Sequence, residues 1–106
     1  MSPRPALTVS VQRGVRTATV RLDGELDIAS DQQVARTLTG LLDDGHSIML
    51  DLTDLRFCDL PGVRVFVDFS RAAAEREVEV AIRGATGQVA RMLDLTHTRA
   101  VLPLVG

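Results

Sequence analysis

An α/β fold is predicted by three features of the sequence. Segments of strand-like alternation, at 7–12, 14–24 and 78–82, are interleaved with stretches of helical periodicity. A helix between two strands is the connection that a parallel pairing requires. The stretch "SIMLDLTDL" (47–55) is apolar on successive residues, as a central strand covered on both faces would be. At 106 residues the chain is long enough for one core without covalent staples. Residues 1–6, with Pro3 and Pro5, read as a flexible tail, and 7–106 as a single domain.

Each element has its own signature. Leu7, Val9 and Val11 alternate with Thr8, Ser10 and Gln12. Ala18, Val20 and Leu22 alternate with Thr17, Thr19 and Arg21, so a hairpin around Arg13-Gly14 joins two half-buried strands. Ser30 with Gln33 three residues on fits a capping box, and Asp31 suits the positive end of a helix. Val34, Leu38, Leu41 and Leu42 then recur at helical spacing until Gly45.

The segment after Pro61 admits two readings. Val63, Val65, Val67 and Phe69 alternate as a strand would, whereas Val63, Phe66, Val67, Ser70, Ala73 and Ala74 mark a helical face. Length decides for a helix over 61–76, because the pattern runs on through the helix-forming "SRAAAERE". Asp59 is its N-cap, and Pro61 and Gly62 are tolerated in the first turn. A strand at 78–82 follows, then a third helix in 85–97 with Val89, Met92 and Leu93 inward. Residues 100–105 form a last edge strand or a tail, limited by Pro103. The order is β-β-α-β-α-β-α with room for one more strand. The short loops leave little space for a lid.

Composition excludes several functions. A formal net charge of −2 offers no field for gripping nucleic acid or an anionic membrane. The three phenylalanines Phe57, Phe66 and Phe69 are the only aromatics, so there is no stacking platform for bases. No apolar run approaches the ~20 residues of a membrane span, and "MSPRPAL" lacks the apolar core of a signal peptide. The lone Cys58 forbids an internal disulfide and suits a reducing compartment. A cytoplasmic location is expected, with neither direct nucleic-acid binding nor membrane insertion.

Candidate chemistry is thin. Cys58 could be a nucleophile, but His46 in a turn and His97 at a helix end are not arranged as its base, and a buried structural thiol is the commoner role. Two His and one Cys are too scattered for zinc. Asp51, Asp54 and Asp59 around the end of the central strand could hold magnesium. Equally, Asp54 and Asp59 serve as turn residue and helix cap, and Asp51 would need hydrogen bonds to be buried. Gly84 and Gly87 are too weak a signal for a phosphate loop. The residues alone describe a small binding module, not an enzyme, with no cofactor.

Three stretches together are diagnostic. They are Gly24-Glu25-Leu26-Asp27, the Asp51-Leu52-Thr53 strand with Asp59 and Gly62 downstream, and Val89, Arg91, Leu93 and Leu95-Thr96 in the third helix. In this order they resemble the STAS domain family, the fold of bacterial anti-sigma factor antagonists, over about Leu7 to Leu104. The resemblance implies a SpoIIAA-like fold, a four- to five-stranded mixed sheet with helices packed mainly on one face. It also implies partner switching in transcription regulation. The antagonist binds an anti-sigma factor, commonly a serine kinase, and so frees a sigma factor. In the family the kinase phosphorylates a Ser or Thr directly after the Asp equivalent to Asp59. Added phosphate charge then opposes docking.

This chain departs from that motif at one turn. The family reads Asp-Ser-Ser/Thr-Gly where this chain reads Asp59-Leu60-Pro61-Gly62. Leu60 occupies the phosphoacceptor position and cannot accept a phosphoryl group, so no phosphoacceptor is assigned. Three explanations compete: an antagonist-like binder not switched at this site, a STAS subunit of an ABC-type lipid transporter that binds the ATPase, or a scaffold or sensor subunit. The implied partner-binding residues are Asp27, Asp59, Leu60, Pro61, Gly62 and Arg64, with Asp68 a further rim candidate. Thr53 is the one nearby hydroxyl that could restore a phosphate switch; Ser30 at a cap and Ser70 within a helix are poor replacements. The oligomeric state is open between monomer and dimer.

Overall fold

The computed structural model describes residues 6–106. The expectation for a tail at 1–6 lies outside the described residues except at Ala6. That residue is tied down, since its carbonyl accepts a bond from Glu25 N–H at 2.7 Å. Strands β1 (Leu7–Arg13) and β2 (Thr17–Leu26) form the hairpin. Helix α1 (Asp31–Asp43), strand β3 (Ser47–Cys58), helix α2 (Leu60–Glu75), strand β4 (Val80–Arg83) and helix α3 (Gly87–Leu95) follow. A 3-10 turn (Arg99–Val101) leads to the two-residue edge strand β5 (Leu104–Val105).

The five strands lie in sequence order, with β1 antiparallel to β2 and every later pair parallel. Because the order never reverses, right-handed crossovers place all three helices on the same face of the sheet. That face carries Val20, Leu22, Leu50, Leu52 and Ile82, each fully buried. The other face is polar and half-open. There Arg21, Asp51 and Arg83 are direct cross-strand neighbours on β2, β3 and β4.

Asp51 is buried but bonded, as its place in an apolar run demands. Its carboxylate accepts from Thr53 Oγ1 at 2.6 Å, from Thr53 N–H at 3.0 Å and from Arg83 at 3.1 Å, with Arg21 at 3.6 Å. Burial alone would raise its pKa. The Thr53 side chain and backbone and the Arg83 guanidinium outweigh that and hold it below the ordinary carboxylate value.

Helix α2 is a helix because Val63, Phe66, Phe69 and Ala73 fall on one buried stripe. The strand-like alternation has a physical source. Val65 and Val67 flank that stripe and line grooves toward α1 and α3 respectively, so the apolar surface wraps more than one face.

One local expectation is corrected. The Ser30–Gln33 capping box does not form, and the Ser30 hydroxyl makes no bond into α1. Ser30 has ψ −10 rather than the extended conformation of a capping residue, so its hydroxyl faces back into the preceding turn. There it accepts from Asp27 N–H at 3.2 Å and points toward the carbonyls of Asp27 and Glu25.

Candidate functional site

The end of the sheet where β2 and β3 both run out builds the site. Their register, shifted by irregularities after Arg21 and Gly24, ends with Leu26 opposite Cys58. One further bond, Asp59 N–H to Leu26 O at 3.1 Å, ties the two exits together. Asp27 and Asp59 therefore emerge as neighbours from distant parts of the sequence.

Asp27 organises its own turn. Its carboxylate accepts from Ala29 N–H at 3.0 Å, and its carbonyl accepts from the N–H groups of Ser30 and Asp31 at 2.9 Å each. Asp59 is extended at ψ 178, which aims its carboxylate at the helix start, and it accepts from Gly62 N–H at 2.7 Å. The expected N-cap is thus in place. Leu60 opens α2 and is 54% exposed. Pro61 and Arg64 are also exposed. Among the described residues no carboxylate lies within ion-pair distance of Arg64.

Gly62 needs correcting as a surface residue. It is buried, and a Cβ there would stand 2.7 Å from Cys58 Sγ and 3.0 Å from a Leu26 methyl. Its role is to let the helix start sit down on the strand ends.

Sequence reasoning missed four residues at this end. Ile28 (83% exposed), in the turn after β2, and Phe57 (39%), opposite Glu25 on the open face of β3, are exposed apolar side chains at this end of the sheet. The only signal for Ile28 was its place in a polar turn. Gln88, in the first turn of α3, lends its side-chain amide to β3 as a surrogate strand. Its Oε1 accepts from Cys58 N–H at 2.9 Å, and its Nε2 donates to Cys58 O at 3.0 Å. A polar residue in a helical pattern gave no hint of this. Gln88→Leu leaves both backbone groups of a fully buried residue without partners. It should cost about 1–3 kcal/mol in urea denaturation, and an unchanged midpoint would show that the clamp is dispensable.

The fourth is Asp31. It is buried at the first position of α1, and neither carboxylate oxygen has a hydrogen-bond partner among the described residues. Burial, then the charges of Asp59 and Asp27, raise its pKa. The carboxylates of Asp59 and Asp27 thus both bear on that of Asp31.

Burial, with Asp59 and Asp31 beside it, pushes the Cys58 thiol up to about 12, so it is no nucleophile near neutral pH. His46 precedes β3 at the opposite end of that strand. Asp51 is engaged on the open face of the sheet and does not join Asp54 and Asp59. Among the described residues no three His, Cys, Asp or Glu side chains are placed to hold a metal. No helix among them is long and apolar enough to cross a membrane. Thr53 is exposed on the open face, its hydroxyl donated to Asp51.

Sheet order, same-side helices and a helix start seated on paired strand ends define an α/β domain of the STAS class. Comparison with known proteins places it more narrowly. The family model described as "Mlab, STAS domain" matches residues 9–103, and the chain belongs to that family. It is 27% identical over 84 residues to the anti-sigma-B factor antagonist of Staphylococcus aureus, covering 78% of each chain. Among solved structures, an anti-sigma factor antagonist from Mycobacterium paratuberculosis superimposes with a TM-score of 0.79 at 17% identity, over 98% of this chain and 89% of that one. The antagonist SpoIIAA in its unphosphorylated form gives 0.79 at 17% identity, over 92% and 86%. This is an anti-sigma factor antagonist-like STAS domain with a five-stranded mixed sheet.

Proposed function

We propose that the chain is a non-catalytic docking module that binds an anti-sigma factor and relieves inhibition of a sigma factor, with no phosphate switch at the head of α2. The observation that carries this reading is Leu60, solvent-exposed at the first position of α2. There the resembling family places a phosphorylatable hydroxyl. Asp59 still caps the helix, so the frame of the loop persists while its modifiable group is replaced by an apolar anchor. Pro61 and Arg64 follow Leu60 as exposed residues of α2, and Asp27 lies in the turn whose preceding residue, Leu26, is bonded to Asp59. Apolar anchors ringed by polar groups are the usual anatomy of a docking surface.

The test is affinity capture from the source cell, with partners identified by mass spectrometry and binding measured for wild type and Leu60→Asp. An anti-sigma factor should be recovered. The substitution should weaken its binding by about 1–3 kcal/mol while the melting temperature stays within a degree or two. Incubation with that partner and ATP should leave residues 56–64 free of phosphate. Equal affinity for both proteins would remove Leu60 from the interface. The absence of a hydroxyl at the helix head equally suits a permanent subunit. Recovery of an ATPase subunit and no sigma regulator would therefore assign the chain to an ABC-type lipid transporter.

A further inference from the structure

Beside the docking loop, α2 and the segment that follows α3 flank an open furrow of about 410 Å³. Val63 and Val67 form its floor, and Leu60 stands at one end. Its two walls differ in hydrogen-bonding character.

The wall just past the C-terminal end of α3 presents Thr96 and Thr98, whose hydroxyl oxygens lie 2.9 Å apart. Thr96 Oγ1 is 2.7 Å from Met92 O and Thr98 Oγ1 is 3.4 Å from Leu93 O. Two hydroxyl hydrogens serve the mutual bond and a helix carbonyl, so this wall has lone pairs to offer and no free donor.

The α2 wall presents Arg64 and Arg71, seven residues and about 10 Å apart along the helix. Each carries five N–H donors. Among the described residues neither is within ion-pair distance of a carboxylate, a state they share with Arg13, Arg16, Arg36 and Arg91. Asp68 lies between them but also borders the α1–α2 groove. The furrow is thus locally positive on a chain whose net charge is −2.

We propose that this furrow receives an acidic segment of the docking partner that also carries apolar side chains. Its carboxylates pair with Arg64 and Arg71, an aliphatic side chain fills the space over Val63 and Val67, and its backbone N–H groups donate to the Thr96 and Thr98 oxygens. The inference rests on the docking reading and adds the chemistry of what docks.

The probe is a capped seven-residue peptide alternating glutamate and leucine, with glutamate at both ends, titrated into the ¹⁵N-labelled protein. A counterpart with lysine for glutamate is the control. The acidic peptide should shift the amides of Val63, Val67, Thr96 and Thr98 saturably. Arg64→Glu/Arg71→Glu should weaken it by about tenfold or more without lowering the melting temperature, both sites being exposed. Added salt should weaken it further. Absence of those shifts, equal shifts with the lysine peptide, or undiminished binding by the double variant would each overturn the proposal. The probe contains no anti-sigma factor. A failed titration therefore leaves the captured partner's identity standing, and a successful one beside failed capture overturns only the anti-sigma reading.

Discussion

Gly84→Ala is expected to destabilise the fold by about 2–4 kcal/mol and to loosen the docking loop some distance away. Gly84 has φ +82, a conformation in which a side chain costs on the order of 1–3 kcal/mol. A Cβ there would also stand 2.7 Å from Thr53 N and 2.9 Å from Thr53 Cα, besides striking the Thr53 hydroxyl. Those atoms belong to the central strand and cannot swing aside as a flexible side chain would. The only relief is to move the chain leaving β4, and that chain leads within four residues to Gln88. The Gln88 amide holds Cys58, the residue before the Asp59 cap. Chemical denaturation should show the lost stability. Hydrogen exchange should show faster exchange at Cys58 and Gly62 than at Leu50 in the sheet centre. A stable variant with unchanged exchange at Cys58 would mean that the two ends of this connection are uncoupled.

The architecture was legible because it is written in periodicities. The order of elements, the parallel crossovers and the Asp59 cap at the α2 start follow from apolar spacing and from a few residues with one obvious local role. Where alternation and helical spacing coexisted, after Pro61, length gave the right answer, and the grooves beside Val65 and Val67 explain the conflict. The long strand β3 was legible to Leu55 only. Its last turns, Arg56 to Cys58, are held by Glu25, Leu26 and Gln88, partners remote in sequence.

The site was less legible for the same reason. Leu60 stood out against a family motif, but its exposure depends on how the helix start sits over Gly62. The Arg21–Asp51–Arg83 triad needs the strand register, and Ser30 gave a capping signal that its backbone conformation does not use. Local rules found the elements. Groups satisfied by long-range partners, or left without one, had to be seen in place.

Asp31→Asn is expected to stabilise the protein by about 1–2 kcal/mol at neutral pH, the scale of relieving a buried unpaired polar charge. The wild-type carboxylate is buried with both oxygens unpartnered among the described residues. The groups facing it are the carboxylates of Asp59 and Asp27 and the un-ionised Cys58 thiol, so among the described residues no positive side chain offsets its charge. The favourable term is the start of α1, worth about 0.3–1 kcal/mol to a negative group. Burial and two like charges exceed it, which is why the folded-state pKa lies above the ordinary 3.8. The sign of the pH effect follows. Between the unfolded and the raised folded value the folded state holds the extra proton, so stability falls as pH rises through that interval. Asp31→Asn keeps the shape, removes the charge and supplies an amide donor to the neighbouring carboxylates. Its stability curve should therefore lack that fall and lie above the wild type near pH 7. Urea denaturation at pH 4, 5.5 and 7 measures both. A variant less stable than wild type at pH 7, with an unaltered slope, would show that the carboxylate serves the helix start more than burial opposes it.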